Sequence, residues 1–110
     1  MSLLLVLSGC VEQPPVPRTC ASIENDYKAL TESPANQRCS DASECQVLSG
    51  QCGAALGTCY HALNRNVTQE MLNALGDEYR RLDCVGSGPV CRCPRPPSVE
   101  CRAGVCTLVL

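Results

Sequence analysis

Eleven cysteines in a chain of 110 residues, beside a single histidine at His61, bound the chemistry open to this sequence. Thiols pair as disulfides, ligate soft metals, or act as nucleophiles where their surroundings lower the thiol pKa. The spacing argues against the last two. Zinc sites are usually built from Cys-x2-Cys pairs or Cys/His clusters, and no Cys-x2-Cys occurs here. The same absence removes the usual redox motif of disulfide oxidoreductases. The sequence therefore predicts no metal ligand and no cofactor. Asp41-Ala42-Ser43-Glu44 gathers two carboxylates, but it lacks the acidic alternation and glycine of a calcium loop and reads as a solvated turn. His61 has no Gly-x-Ser-x-Gly elbow to serve and reads as a structural or surface histidine. No catalytic residue is expected, and the chain is not expected to be an enzyme.

An odd number of cysteines in an exported protein points to a free thiol or a link to another chain. Leu7-Ser8-Gly9-Cys10, at the end of the apolar run Leu3 to Leu7, removes that anomaly. The tetrapeptide resembles the lipobox of bacterial lipoproteins. That resemblance implies a diacylglyceryl group on the Cys10 sulfur, cleavage before it, and acylation of the new N-terminus. Residues 1–9 are then a signal peptide, expected to be truncated at its start because no Lys or Arg precedes the cysteine. The run is far shorter than the ~20 residues that span a bilayer, so lipid is the expected membrane connection. Val11 stands where an Asp would favour inner-membrane retention, which implies the outer membrane of a bacterial envelope. Cys20, Cys39, Cys45, Cys52, Cys59, Cys84, Cys91, Cys93, Cys101 and Cys106 remain, enough for five disulfides. Ten thiols allow about 945 pairings, and the connectivity stays open.

Composition fits that address. The chain has no Phe, no Trp and three tyrosines, a poor supply of core-filling area. Small exported domains short of core are commonly stapled by disulfides, so full reduction is expected to unfold this one. A net charge of −2 gives no basic stripe for nucleic acid. The expected partners are the membrane, through the lipid, and an envelope protein.

Residues 10–18 comprise the lipidated cysteine and a Pro-rich tether, and residues 19–110 form the disulfide-rich domain. Cys20, Ile23, Tyr27 and Leu30 fall on one helical face, with Thr19 as N-cap and Ser33-Pro34 as the stop. Residues 34–44 read as polar loop. Short strands follow at Cys45 to Leu48 and Thr58 to Leu63. Asn66 to Asp83 reads as a second helix, capped by Asn66 with Gln69 completing a capping box, and striped by Leu72, Leu75, Tyr79 and Leu82. Gly76 in that helix marks a close approach to the sheet. Val99 to Arg102 and Val105 to Leu110 flank Ala103-Gly104 as a hairpin that sets Cys101 opposite Cys106. The two can bridge each other or point inward to separate partners, and separate partners are favoured. Cys91 and Cys93, if extended, face opposite ways and cannot share a nearby partner. The fold class is α+β: a small disulfide-rich domain with two helices packed on a short antiparallel sheet and a C-terminal hairpin.

Two further resemblances bear on function. Cys93-Pro94-Arg95-Pro96-Pro97-Ser98-Val99-Glu100-Cys101 looks somewhat like the reactive loop of small peptidase inhibitors, with Arg95 displayed on a proline-stiffened segment. Pro96 departs from that pattern, because trypsin-like enzymes handle an Arg-Pro bond poorly. A connector between strands is the leading reading and peptidase inhibition through Arg95 the alternative. The arrangement of Cys39, Cys45, Cys52-Gly53, Cys59, Ala62 to Arg65, Cys91, Cys93, Cys101 and Cys106 resembles small Cys-rich lipoproteins of high-GC Gram-negative bacteria. Arginine-heavy usage accords with such a source. That resemblance implies a lipid-anchored binding or structural module and transfers no mechanism.

Overall fold

A computed structural model describes residues 17–84 and 91–110. The leader, Cys10 and the tether up to residue 16 lie outside the described residues, so the expectations about them are not addressed by the fold. Helix α1 (Cys20–Thr31) starts where expected. The Thr19 hydroxyl accepts the Ser22 N–H at 3.1 Å, and Ser22 Oγ accepts the Thr19 N–H at 2.8 Å, a reciprocal cap that satisfies two otherwise orphaned donors. Ile23, Tyr27 and Thr31, at successive i+4 positions, form its buried face.

The expected loop after α1 contains a further helical turn, α2 (Pro34–Gln37). Pro34 stops the first helix by restricting Ser33, then serves as the first residue of the next, where a missing N–H loses nothing. Four residues are too few to show a helical period, which is why the sequence pattern missed it.

Strands β1 (Cys45–Gln51) and β2 (Leu56–Asn64) pair antiparallel, from Cys45 opposite Asn64 to Gln51 opposite Leu56. Both run further than expected, and the pairing is interrupted at Gly50. A Cβ there would overlap the Thr58 carbonyl, so glycine allows the register shift between Ser49 and Gln51. Strict alternation divides the ribbon into two faces. Leu48, His61 and Leu63 lie on one, and Cys45 and Ala62 on the other.

Helix α3 (Gln69–Arg81) starts three residues later than the expected Asn66. Thr68 caps it, accepting the Met71 N–H at 3.2 Å, and the Met71 sulfur accepts the Thr68 N–H in place of a Glu or Gln. Asn66 instead donates its side chain to Ala35 O, and Gln69 spans to Ser49, accepting its N–H at 2.8 Å and donating to its carbonyl at 2.9 Å. Leu72, Gly76 and Tyr79 are the buried stripe, while Leu75 is half-buried and Leu82, expected inside, is 42% exposed. The helix ends at Arg81, which leaves Leu82 beyond its packed face. Gly76 lies against the Gln51 side chain, where a Cβ would overlap it, and this close approach was the expected reason for the glycine.

Strands β3 (Ser98–Arg102) and β4 (Val105–Val109) form a second two-stranded sheet in the expected register, with Cys101 opposite Cys106 and Arg102 opposite Val105. Ala103 (φ 51°) and Gly104 (φ 79°) both have left-handed backbones, as a tight two-residue hairpin turn requires. The Cys39 N–H donates to Gly104 O at 3.0 Å and Arg38 bridges Val105, so residues 38–39 run along the edge of this hairpin.

The result is an α+β domain in three layers. Helices α1 and α3 cover one face of β1–β2 around Ile23, Tyr27, Leu48, Leu63, Val67 and Leu72. The β3–β4 hairpin meets the opposite face through Cys39, Cys45 and Cys106, with Ala62 and Val99 beside them. Among the described residues, no helix is long and apolar enough to cross a membrane.

Candidate functional site

Five disulfides join the ten cysteines of the domain, with Cα atoms 5.5–6.0 Å apart, inside the range that a bridge needs. Cys20–Cys84 ties the first residue of α1 to the chain just beyond α3. Cys39–Cys101 and Cys45–Cys106 hold the hairpin, so the two cross-strand cysteines go to separate partners, as favoured from sequence. Cys52–Cys91 and Cys59–Cys93 fasten residues 91–97 to the tip of the β1–β2 ribbon.

Those last two bridges lie side by side. The four sulfurs of Cys52, Cys59, Cys91 and Cys93 are all within 4.8 Å of one another. Cys91 and Cys93 were expected to face opposite ways if extended. Their segment belongs to no strand, and their sulfurs converge to 3.6 Å. Each still takes a partner of its own. This convergence of the ribbon tip with residues 91–93, more than thirty residues away, left no signal in the cysteine spacing.

A second constellation surrounds His61. Glu24, Tyr27, Lys28, Glu32, Thr58 and His61 line a cleft of about 260 Å³ between α1 and the start of β2. The Tyr27 hydroxyl accepts the Gln51 backbone N–H at 3.2 Å and lies 2.8 Å from His61 Nε2. One of the two groups donates to the other, the direction following the imidazole tautomer. Burial pushes the His61 pKa below its ordinary value, against a smaller opposing pull from Glu32, and burial pushes the Tyr27 phenol up. Both shifts favour the neutral pair that this hydrogen bond needs. Gly57 (φ +80°) closes over the Tyr27 ring, and a Cβ there would overlap the phenol. The cleft gathers carboxylate, ammonium, hydroxyl and imidazole groups, and His61 engages Nε2 with Tyr27, which suits a structural histidine.

The remaining candidate residues are spread apart. Asp41 caps the turn Ala42–Glu44, accepting the Ser43 N–H at 2.8 Å and the Ser43 hydroxyl, and these bonds hold its carboxyl below the usual range. Glu44 accepts the Ser40 N–H at 2.6 Å. Both carboxylates are thus engaged in shaping the local turn. Arg95 is exposed within a segment fixed at Cys93 by its bridge and at Pro94, whose carbonyl accepts the Tyr60 hydroxyl. Sequence reasoning also overlooked Asn64, whose buried amide donates to Ala35 O at 2.8 Å and Arg38 O at 2.9 Å and whose oxygen accepts the Asn66 N–H at 3.0 Å. It organises α2 and the approach to α3 rather than chemistry.

The fold and these sites define a disulfide-stapled α+β domain. No protein family, curated protein or solved structure gives a match to the chain.

The depressed His61 pKa makes stability depend on pH with a definite sign. As pH falls below about 6.5 the unfolded chain takes up a proton on this histidine before the folded protein does. The stabilisation is therefore complete above about pH 6.5 and is lost as pH falls toward the lower folded value. Denaturant titrations should show a midpoint that is level above this value and falls below it, with the histidine component absent in His61→Gln. Tyr27→Phe, which strips the hydroxyl from the buried Gln51 amide and the half-buried His61, should lower stability by about 1–3 kcal/mol.

Proposed function

We propose that this chain is a lipid-anchored lipoprotein of a bacterial envelope whose domain acts as a binding or structural module without catalysis. The observation that carries this reading is the cysteine account. All ten cysteines from Cys20 onward pair among themselves, so none of them requires Cys10 as a partner. The cysteine left over is the one that ends Leu7-Ser8-Gly9-Cys10, where lipidation calls for a thiol outside any disulfide. The anchored position of Arg18 agrees with a short tether. The Arg18 guanidinium grips Glu78 with two bonds of 2.7 and 2.9 Å and Asp26 with one of 2.7 Å, eight residues after Cys10. An oxidised domain stapled five times also suits a compartment outside the cytosol.

A second reading, peptidase inhibition through Arg95, is favoured by one specific observation. Residues 93–97 are held at one end by Cys59–Cys93 and the Tyr60–Pro94 hydrogen bond and at the other by entry into β3. Such a segment has lost its ordering entropy before binding. A panel of trypsin-like proteases assayed against micromolar protein decides it: absence of inhibition removes this reading.

Intact-mass analysis of protein made in a bacterial host from the full precursor tests the anchor. The expected species begins at Cys10, carries acyl mass and exposes no alkylatable thiol when denatured without reductant. An uncleaved chain, or a cleaved chain with no added lipid, contradicts the proposal.

A further inference from the structure

We propose that Cys52, Cys59, Cys91 and Cys93 form a tetrathiolate zinc site when their two disulfides are reduced, so that this corner of the domain exchanges two bridges for one metal ion. Zinc bound by four thiolates has Zn–S lengths of about 2.3 Å, which sets the edge of the sulfur tetrahedron at about 3.8 Å. Three of the four sulfur pairs that join separate bridges already stand at that spacing. Cys59 lies 3.9 Å from Cys52 and 3.9 Å from Cys91, and Cys91 lies 3.6 Å from Cys93. No pair in the group exceeds 4.8 Å, so a small adjustment of side chains closes four ligands on one ion.

The rest of the domain offers no equal site among the described residues. The other sulfur cluster, Cys39, Cys45 and Cys106, supplies only three ligands and is buried beneath the hairpin. The proposed group is half-buried, with Cys93 exposed, so a reductant and a metal ion can both reach it. Two arginines lie near this corner, one in sequence and one in space. Arg92 lies between two of the ligands in the chain, and the Arg80 guanidinium is beside Gly53, adjacent to Cys52. Bonds elsewhere keep the ligands near one another after reduction. Cys20–Cys84, Cys39–Cys101 and Cys45–Cys106 still hold the helices and the hairpin. The β1–β2 ladder still positions Cys59, and the Tyr60 hydroxyl still binds Pro94 beside Cys93.

The chemistry balances with a dithiol as reductant. Two dithiols each form a cyclic disulfide and deliver two electrons and two protons, which converts the two protein disulfides to four thiols. Binding of Zn²⁺ as a tetrathiolate then releases those four protons, so the metal competes with reoxidation and with acid. This inference stands apart from the lipid anchor, and the experiment removes Cys10 so that the two succeed or fail separately.

The test uses the full oxidised chain carrying Cys10→Ser, titrated without oxygen with a phosphine, which is oxidised to its oxide with one water consumed per disulfide. Alkylation and mapping should find Cys52, Cys59, Cys91 and Cys93 opened first. Equimolar Zn²⁺ should then protect all four from alkylation, and Co²⁺ should give the intense visible bands of a tetrahedral thiolate complex at one ion per chain. The double variant Cys52→Ser, Cys91→Ser, treated likewise, should lose those bands. Should partial reduction loosen the fold, Zn²⁺ must restore its circular dichroism. Earlier opening of another bridge, failure of the four free thiols to bind one ion, or loosening that zinc does not reverse would each overturn the proposal.

Discussion

The β3–β4 hairpin meets the rest of the protein through a cluster whose buried members are three cysteines, Cys39, Cys45 and Cys106. No large apolar side chain of that hairpin is fully buried, and Val99, Leu108 and Val109 are only half-buried, so hydrophobic transfer supplies only part of what holds it. Cys101 and Cys106 stand opposite each other on adjacent strands and would be a natural pair. They bond outward instead, one to Cys39 and the other to Cys45. Two covalent links therefore do for this layer what a packed apolar face does for a larger domain. Each closes a loop of about sixty residues in the unfolded chain, where a bridge contributes ~2–4 kcal/mol, although loops that overlap this much do not add.

The helical layer is built differently. Ile23, Leu63, Val67 and Leu72 are wholly buried between α1, α3 and one face of the ribbon, which is the chain's real apolar core. Here the Cys20–Cys84 bridge supplements packing by joining the start of α1 to the end of α3. The Tyr79 hydroxyl donating to Glu24 at 2.6 Å adds a polar tie between the same helices. Arg18 joins them from the tether side, but its ion pairs lie at the surface, where such contacts contribute little. The remaining two bridges hold neither layer. They secure an otherwise irregular segment to the ribbon tip, and the proposed exchange for zinc involves these two alone.

What the sequence made legible follows from how local each signal was. The hairpin register could be read because Ala103-Gly104 sits between two alternating segments, and nothing remote alters that pairing. Thr19 and Gly76 were readable for the same reason, one through its own turn and the other through a missing side chain on a buried stripe. The start of α3 was misread because Asn66 and Thr68 are both good caps. The choice between them is made by Ala35, Asn36 and Ser49, which occupy Asn66 and Gln69 with other hydrogen bonds. The disulfide connectivity and the four-sulfur group were not legible at all. They depend on the ribbon tip meeting residues 91–93, more than thirty residues away in the chain. The proposed anchor remains a reading of Leu7 to Cys10 as a motif, supported by cysteine parity.

The central claim is that the hairpin is held by two separate outward bridges in place of a core of its own. Digestion of the oxidised protein in acid, where thiol–disulfide exchange is suppressed, followed by mass spectrometry of the linked peptides, addresses it directly. The account predicts one peptide joining Cys39 to Cys101 and another joining Cys45 to Cys106. A Cys101–Cys106 link, with Cys39 and Cys45 bonded to each other or left as thiols, would contradict it.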